Sequence, residues 1–509
     1  MRRRLSPQDD SYRLAEPFML KHIARDKGDA GDPDYDYAVS KQAVKHGFYY
    51  LGVARFLSEL TQVGIDSVLV GGDPLITELT NGHPVRSARV WCRPFNLALS
   101  LIATGYAIWR VLSLIHLKKR KTVESFLAVD SIDNPPRQKK IVTDILDNPA
   151  KEALWVFRSR AAYDHLKDQV SDLPCYLPGD GHYSFFSGMT AVWRAVRDGL
   201  RLFLRYGGVY PSLHLSLAKL NAIRIGYEAM FNVYKIRYFW GWDEYNVEHI
   251  MRSQELRKAG GVSLGLVNGV NVFGSDVVYR FIDYDITYVF SPGPFLKYNR
   301  DNWRHPEGVR QIGATALNRE EIKAMLAVPK TKDVVVFAKN YCDGAEFLDQ
   351  VFKIGLALSD RNILISLKRS SIRLGGLDEF LKYINDHAPI NVTLVEDLSF
   401  DLITRCRYVL SGESSIIAES IHLGSVSFFL DTYPKNDIFI YRDYEELSHR
   451  DGDEIARRIK GIEDGSWVYP VQRYAELADI SGELCFDVLR RDLGLEPKDP
   501  QILKGIWSK

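Results

Sequence analysis

The residues of this chain best placed to hold a phosphorylated ligand are two serine hydroxyls and a carboxylate one helical turn further on. Tyr408-Val409-Leu410 reads as a buried strand, Ser411-Gly412-Glu413-Ser414-Ser415 as the turn after it, and Ile416 to Leu423 as a helix stopped by Gly424. Backbone N–H groups at such a helix start point outward, and serine hydroxyls add donors, which is a natural seat for a phosphate. Glu419 falls one turn inside the helix, where its carboxylate can accept hydrogen bonds from ribose or sugar hydroxyls. The same residues suit a purely structural role equally, with serine as N-cap and Glu419 on a solvated face.

In open parallel sheets ligands bind beyond the carboxyl ends of the strands. Those ends offer Gly71-Gly72-Asp73, Trp242-Asp243-Glu244-Tyr245-Asn246, Asn268-Gly269, Ser291-Pro292-Gly293, Lys339-Asn340 and Lys368-Arg369 besides the serine turn. Asp243 and Glu244 are the first candidates for a general base. Adjacent carboxylates point apart, so at most one would act. The alternative has Glu244 capping the following helix and Asp243 paired with an arginine. Asp73 is weaker, since Gly-Gly-Asp-Pro is also a plain turn. Lys339, Lys368 and Arg369 would supply positive charge for a diphosphate. Asp283 and Asp285 lie within strand-like sequence, so no metal is expected there. His182, His214, His249 and His422 have no partners at ligand spacing and read as structural. Gly260-Gly261 is no GxGxxG fingerprint, which argues against a nicotinamide cofactor.

The elements that must position these residues alternate strand, turn and helix, which predicts parallel sheets covered on both faces. In the first half the strands are Ile65 to Val70, Val233 to Trp242, Val262 to Val267 and Ile282 to Phe290, with a helix over Glu248 to Lys258. The second half is cleaner, with strands Asp333 to Ala338, Asn362 to Leu367, Val392 to Val395, Tyr408 to Leu410 and Val426 to Leu430. Helices fall between them over Ala345 to Leu358, Leu377 to Asn385, Phe400 to Thr404 and Ile416 to Leu423. The expected fold class is α/β, two Rossmann-like domains facing across a cleft. Its parts are a polar tail over 1–40, a first domain over 41–300, a linker over 301–332, a second domain over 333–455 and helices over 456–509. Gln311-Ile312-Gly313 is a possible last edge strand.

A chain of 509 residues is too long for one ordinary domain, and 46% hydrophobic with 26% charged residues is globular composition. Lys+Arg at 66 against Asp+Glu at 65 argues against a nucleic-acid binder. Five scattered cysteines without a CxxC pair fit reduced thiols in a cytosol. Phe95 to Leu117 is mostly apolar and runs into Lys118-Lys119-Arg120-Lys121. Arg110 near its middle weighs against a membrane span. A buried helix is the favoured reading, and an interfacial helix with a basic edge the alternative, giving a possible peripheral membrane contact through 95–121.

The run from Asp401 through Asp431, strand then Ser-Ser then helix with Glu then Gly, resembles the donor half of glycosyltransferase-B enzymes. Trp242 to Gly269 resembles, more weakly, a stretch of bacterial surface-polysaccharide transferases of capsule and lipopolysaccharide synthesis. The resemblance implies a nucleotide-sugar donor near Ser414, Ser415 and Glu419. Ser411, Glu413, Lys339, Lys368 and Arg369, at the same strand ends, are further donor-side candidates on position and charge. It also implies a glycan or glycolipid acceptor, no resident cofactor and no metal, and work in the cytoplasm or at the inner membrane. Two departures stand out. Asn268 replaces the histidine of the family's His-Gly turn, and Lys368-Arg369-Ser370 stands where relatives carry His-Pro. Asn268 cannot act as a base, though it can orient a hydroxyl. A catalytically silent binding or scaffold protein, a CDP-alcohol phosphotransferase and a nucleotide-sugar epimerase are the alternatives.

Overall fold

The computed structural model describes residues 34–43, 45, 68–70, 85–87, 92–116, 121–131, 135–170, 173–208, 211–267, 269, 279–339, 343–367, 377–395, 400–433, 439–500 and 502–507. A short parallel pair, β1 (Val68–Val70) and β2 (Val85–Ser87), stands apart. The first large sheet is built from β3 (Val123–Asp130), β4 (Ala153–Val156), β5 (Cys175–Tyr176), β6 (Tyr234–Gly241), β7 (Val262–Leu266), β8 (Ile286–Val289) and β9 (Val309–Gln311). Its order is β5-β4-β3-β6-β7-β8-β9. The second sheet is built from β10 (Thr331–Ala338), β11 (Ile363–Leu367), β12 (Val392–Val395), β13 (Cys406–Ser411), β14 (Val426–Leu430) and β15 (Ser448–His449). Its order is β12-β11-β10-β13-β14-β15. All pairings are parallel, and each sheet reverses direction of growth once, between β3 and β6 and between β10 and β13. These are two doubly wound α/β layers, and the reversals place a crevice at the carboxyl end of each.

The central strands show why the sequence folds this way. Val334, Val335 and Val336 are all buried, and Val335 pairs with Leu364 on one side and Val409 on the other. A strand covered on both faces carries a continuous apolar run, not an alternating one. Helix ends are similarly local. Asn318 accepts from the Glu321 N–H at 2.8 Å while Glu321 accepts from the Asn318 N–H at 2.7 Å, so the Arg319–Ala327 helix opens on a reciprocal cap. Gly424 stops the Ile416–His422 helix with φ of 76°.

The two sheets share one interior. Val335 and Val409 of the second sheet belong to the same buried apolar cluster as Leu127 and Trp155 of the first. The Cys485–Asp492 helix, far along the chain, returns into that cluster through Leu489. Asp487 on this helix accepts from Arg319 at 2.9 and 3.0 Å, and Asp492 accepts from the Tyr288 hydroxyl at 2.9 Å.

Two findings differ from the sequence reading. Between 118 and 226 it assigned nothing, yet the chain forms three strands of the first sheet there, with the helices Pro135–Ile145, Phe185–Tyr206 and Pro211–Ala218 and the start of Leu220–Phe231. β4 and β5 are only four and two residues long, and β3 carries Glu124, Ser125 and Asp130, so none gives a strong strand signal. The apolar stretch after Phe95 is a helix, Cys92–Ser113, but not a buried one: Leu101, Ile102, Tyr106 and Trp109 are exposed.

Candidate active site

The turn after β13 is held from below by a hydrogen-bonded network. Lys339, just past β10, donates its backbone N–H to Asp343 Oδ2 at 2.7 Å, and Asp343 Oδ1 accepts from the Tyr433 hydroxyl at 2.7 Å. The Tyr433 oxygen in turn accepts from the Glu413 N–H at 3.0 Å. Burial and the adjacent Asp343 carboxylate push the Tyr433 phenol far above its ordinary range, so it stays a donor. Gly412 is required here for space: a β-carbon would lie 2.3 Å from the Tyr433 hydroxyl and 2.9 Å from Asp343 Oδ1. Lys339 Nζ pairs with Glu413 Oε1 at 3.1 Å and also donates to the Glu413 carbonyl. Much of its charge is therefore met within the protein.

Ser414 and Ser415 follow. The Ser414 carbonyl accepts from the Tyr441 hydroxyl at 2.6 Å, and Ser414 Oγ accepts from the Ile416 N–H at 3.3 Å. Ser415 Oγ donates to Glu419 Oε1 at 3.1 Å. Glu419 is only 7% exposed, so it does not sit on the solvated face that a structural reading assigns it. Burial and the neighbouring Glu419 raise the Tyr441 phenol well above its usual range. The structure thus brings Lys339, Glu413, Ser414, Ser415 and Glu419 to one turn. Ser411 does not join them: its hydroxyl is buried and donates to the Phe337 carbonyl at 2.9 Å, tying β13 to β10. Asn268, Asn340, Lys368, Arg369, Ser370 and Gly71-Gly72-Asp73 lie outside the described residues.

From the first sheet, the turn after β7 approaches this site. Gly269 has φ of 77°, and a β-carbon on it would sit 3.6 Å from Ser415 Cβ. Past the carboxyl ends of β7 and β13 the chain therefore comes to contact distance at Gly269 and Ser415.

The acidic pair after β6 has another position. Asp243 is 2% exposed and Glu244 0%, so neither presents an acceptor to a substrate hydroxyl. Asp243 accepts from Arg252 Nη2 and from the Tyr284 hydroxyl, each at 2.8 Å, and pairs with Arg158. Arg158 Nη2 also reaches Asp130 Oδ2 at 2.6 Å, and Arg252 pairs with Asp130 as well. Two carboxylates and two guanidiniums thus tie together the ends of β3, β4 and β6 and the Glu248–Lys258 helix. Burial works to raise the Asp243 carboxyl, but Arg252 and Arg158 outweigh it and hold the group far below the usual carboxylate range. Such a carboxylate is a poor base. His249 beside it is buried and pushed down to about 3, so it is neutral.

A cavity of about 180 Å³ opens at the ends of β4 and β5, lined among others by Arg110, Arg158, Tyr176, Gly226, Tyr227 and Glu248. Glu248 is partly exposed and stands 4.0 Å from Arg158. Sequence reasoning missed this group, although Glu248 opens the predicted helix after the acidic pair. It missed Tyr433, Tyr441 and Asp343 too, because nothing local marks a tyrosine that bridges two strand ends. No group of His, Cys, Asp and Glu suited to a metal ion occurs among the described residues.

No protein-family model and no curated protein matches the sequence. Solved structures resemble the fold at low identity. A variant of the wall teichoic acid polymerase TagF is 11% identical, covering 78% of this chain and 98% of its own, with a TM-score of 0.40. HepE of Anabaena in complex with UDP is 11% identical over 73% of this chain and 98% of its own, with a TM-score of 0.39. The UDP-GlcNAc 2-epimerase of Neisseria meningitidis bound to UDP-GlcNAc is 10% identical over 70% of this chain and 94% of its own, with a TM-score of 0.37.

Proposed function

We propose that this chain is a nucleotide-sugar-dependent glycosyltransferase of the GT-B kind, acting on a glycan or glycolipid acceptor of surface polysaccharide synthesis in the cytoplasm. The observation that carries the reading is the approach of Gly269 from the first sheet to Ser415, whose hydroxyl bonds Glu419 at the start of the 416–422 helix of the second. The donor's diphosphate lies against the serine hydroxyls and the start of the 416–422 helix, and Glu419 takes a ribose or sugar hydroxyl. Lys339 acts with Glu413 as a paired, positioned charge. The donor is a substrate, and no resident cofactor or metal takes part.

The acceptor occupies the cavity beside Arg110 and Arg158. Because Asp243 is committed to its arginines, the base for an inverting transfer is assigned to Glu248, the partly exposed carboxylate lining that cavity. The acceptor oxygen attacks the anomeric carbon, its proton passes to Glu248, and the bond to the diphosphate breaks with the nucleotide leaving as an anion.

The test is a thermal-shift screen of the full chain with UDP, GDP, CDP, CMP and their sugar conjugates. A ligand at about 100 times its dissociation constant stabilises the fold by roughly 2.7 kcal/mol. Ser415→Ala and Glu419→Ala should each weaken binding about tenfold or more. No shift with any nucleotide would sink the reading. A second reading, a silent binding protein on the same fold, is favoured by the ionic commitment of Asp243 and by Asn268. Nucleotide binding with no transfer to any acceptor, and no effect of Glu248→Gln on any measured property, would select it.

A further inference from the structure

Two helices of 22 residues, Cys92–Ser113 and Phe185–Tyr206, lie antiparallel on the surface of the first domain. Asn96 Nδ2 donates to the Gly207 carbonyl at 3.0 Å, and a β-carbon on Gly199 would lie 2.2 Å from Thr104 Oγ1, so the two are in tight contact along their length. At about 1.5 Å per residue each is roughly 33 Å long. Their inner faces are ordinary protein core, with Ala107, Val111, Ala191, Ala195 and Leu202 buried. Their outer faces are not. Fourteen of the 22 exposed large apolar side chains among the described residues lie on these two helices, including Phe186 at 82%, Trp193 at 70% and Ile102 at 68% exposed. An apolar face of this extent on a soluble protein marks a contact surface.

The charges on the pair indicate what covers it. The two helices carry six arginines and one acid, Asp198, which is buried against Arg197 and Arg224. Arg194 pairs with Glu228, Arg205 with Asp36, and Arg110 turns inward to the Ala222 carbonyl, which leaves Arg93 and Arg197 exposed and Arg201 half-buried on the pair. Exposed Lys121, with Lys118, Lys119 and Arg120 before it in the sequence, adds to the same sign. A surface of exposed tryptophan, phenylalanine and leucine beside arginines, with almost no acid, matches an anionic lipid–water interface. A second copy would set arginines against arginines. The Cys92–Ser113 helix is long and apolar enough to cross a bilayer, but its packing on the domain and the Arg110 hydrogen bond to Ala222 favour an orientation in the plane.

We infer that this two-helix face docks in the plane of an anionic bilayer, seating its apolar side chains among the acyl chains and Arg93, Arg197 and Arg201 among the headgroups. The Phe185–Tyr206 helix contributes half of the face. Arg110 belongs to the first helix and also lines the proposed acceptor cavity, so docking places that cavity beside the headgroups. The docking itself does not depend on the glycosyltransferase reading.

Flotation of the full chain with vesicles tests it. Wild type should rise with phosphatidylglycerol-containing vesicles and stay largely behind with pure phosphatidylcholine, and high salt should weaken the binding. Each surface arginine contributes about fivefold to partitioning, so Arg197→Glu with Arg201→Glu should lower it at least 25-fold by that estimate. Trp193→Glu with Leu200→Glu should abolish it. Both side chains are exposed, so circular dichroism and nucleotide-induced stabilisation should stay as in wild type. Failure to float on anionic vesicles would overturn the proposal, whether sedimentation then showed a monomer or a dimer closed over this face.

Discussion

At the scale of single residues, the acidic pair after β6 shows what a side chain's surroundings decide. Asp243 was attractive as a base because it ends a strand, but four elements use it as an anchor instead. Breaking a buried ion cluster from one side leaves the partner guanidinium uncompensated, so Asp243→Asn should cost about 3–5 kcal/mol. Urea unfolding measures this, and a loss under about 1 kcal/mol would mean the cluster is solvated in solution. His249 gives a pH signature. Burial above all, with Lys41 and Arg252 adding and Asp243 opposing, keeps it neutral down to about 3 in the folded chain. The unfolded chain takes up that proton from about pH 6.5 downward, so the stability is intact above that pH and lost as pH falls toward 3. By pH 5 the loss should reach about 2 kcal/mol, and it should be absent from the pH dependence of His249→Gln. The serine turn was legible because its hydroxyls and Glu419 are local in sequence. Tyr433, Tyr441 and Asp343 were not, since each meets the turn only after distant strands align.

At the scale of elements, legibility followed length and patterning. The second sheet could be read almost strand for strand because its strands are apolar runs bounded by Gly, Asn and Ser. The left half of the first sheet was silent because β4 and β5 are too short to show a period. The Phe185–Tyr206 helix was missed although Arg194, Arg197, Arg201 and Arg205 recur at the spacing of one helix face, which is itself a helical signal. Gly412 tests whether the turn is as tightly held as the hydrogen bonds imply. Gly412→Ala must displace Tyr433 or Asp343 and should cost about 1–3 kcal/mol. It should also weaken nucleotide binding, read by the same thermal shift. Retained affinity at reduced stability would separate the network under the turn from the ligand site.

For the whole molecule, the shared interior is the feature with reach. Because one apolar cluster includes Leu127 and Trp155 of the first sheet, Val335 and Val409 of the second, and Leu489 of the returning helix, the sheets should not melt apart. Calorimetry should show one transition. Leu489→Ala should lower it as a unit by about 2–5 kcal/mol, whereas two resolved transitions would mean the sheets fold independently. The returning helix also imposes an order on biosynthesis. Leu127 and Leu489 are 489 − 127 = 362 residues apart. At about 5–20 residues per second, a ribosome needs roughly 20–70 s to cover that distance. For that interval the first sheet stands without the helix that completes its apolar cluster, and that exposed apolar flank is where aggregation would start.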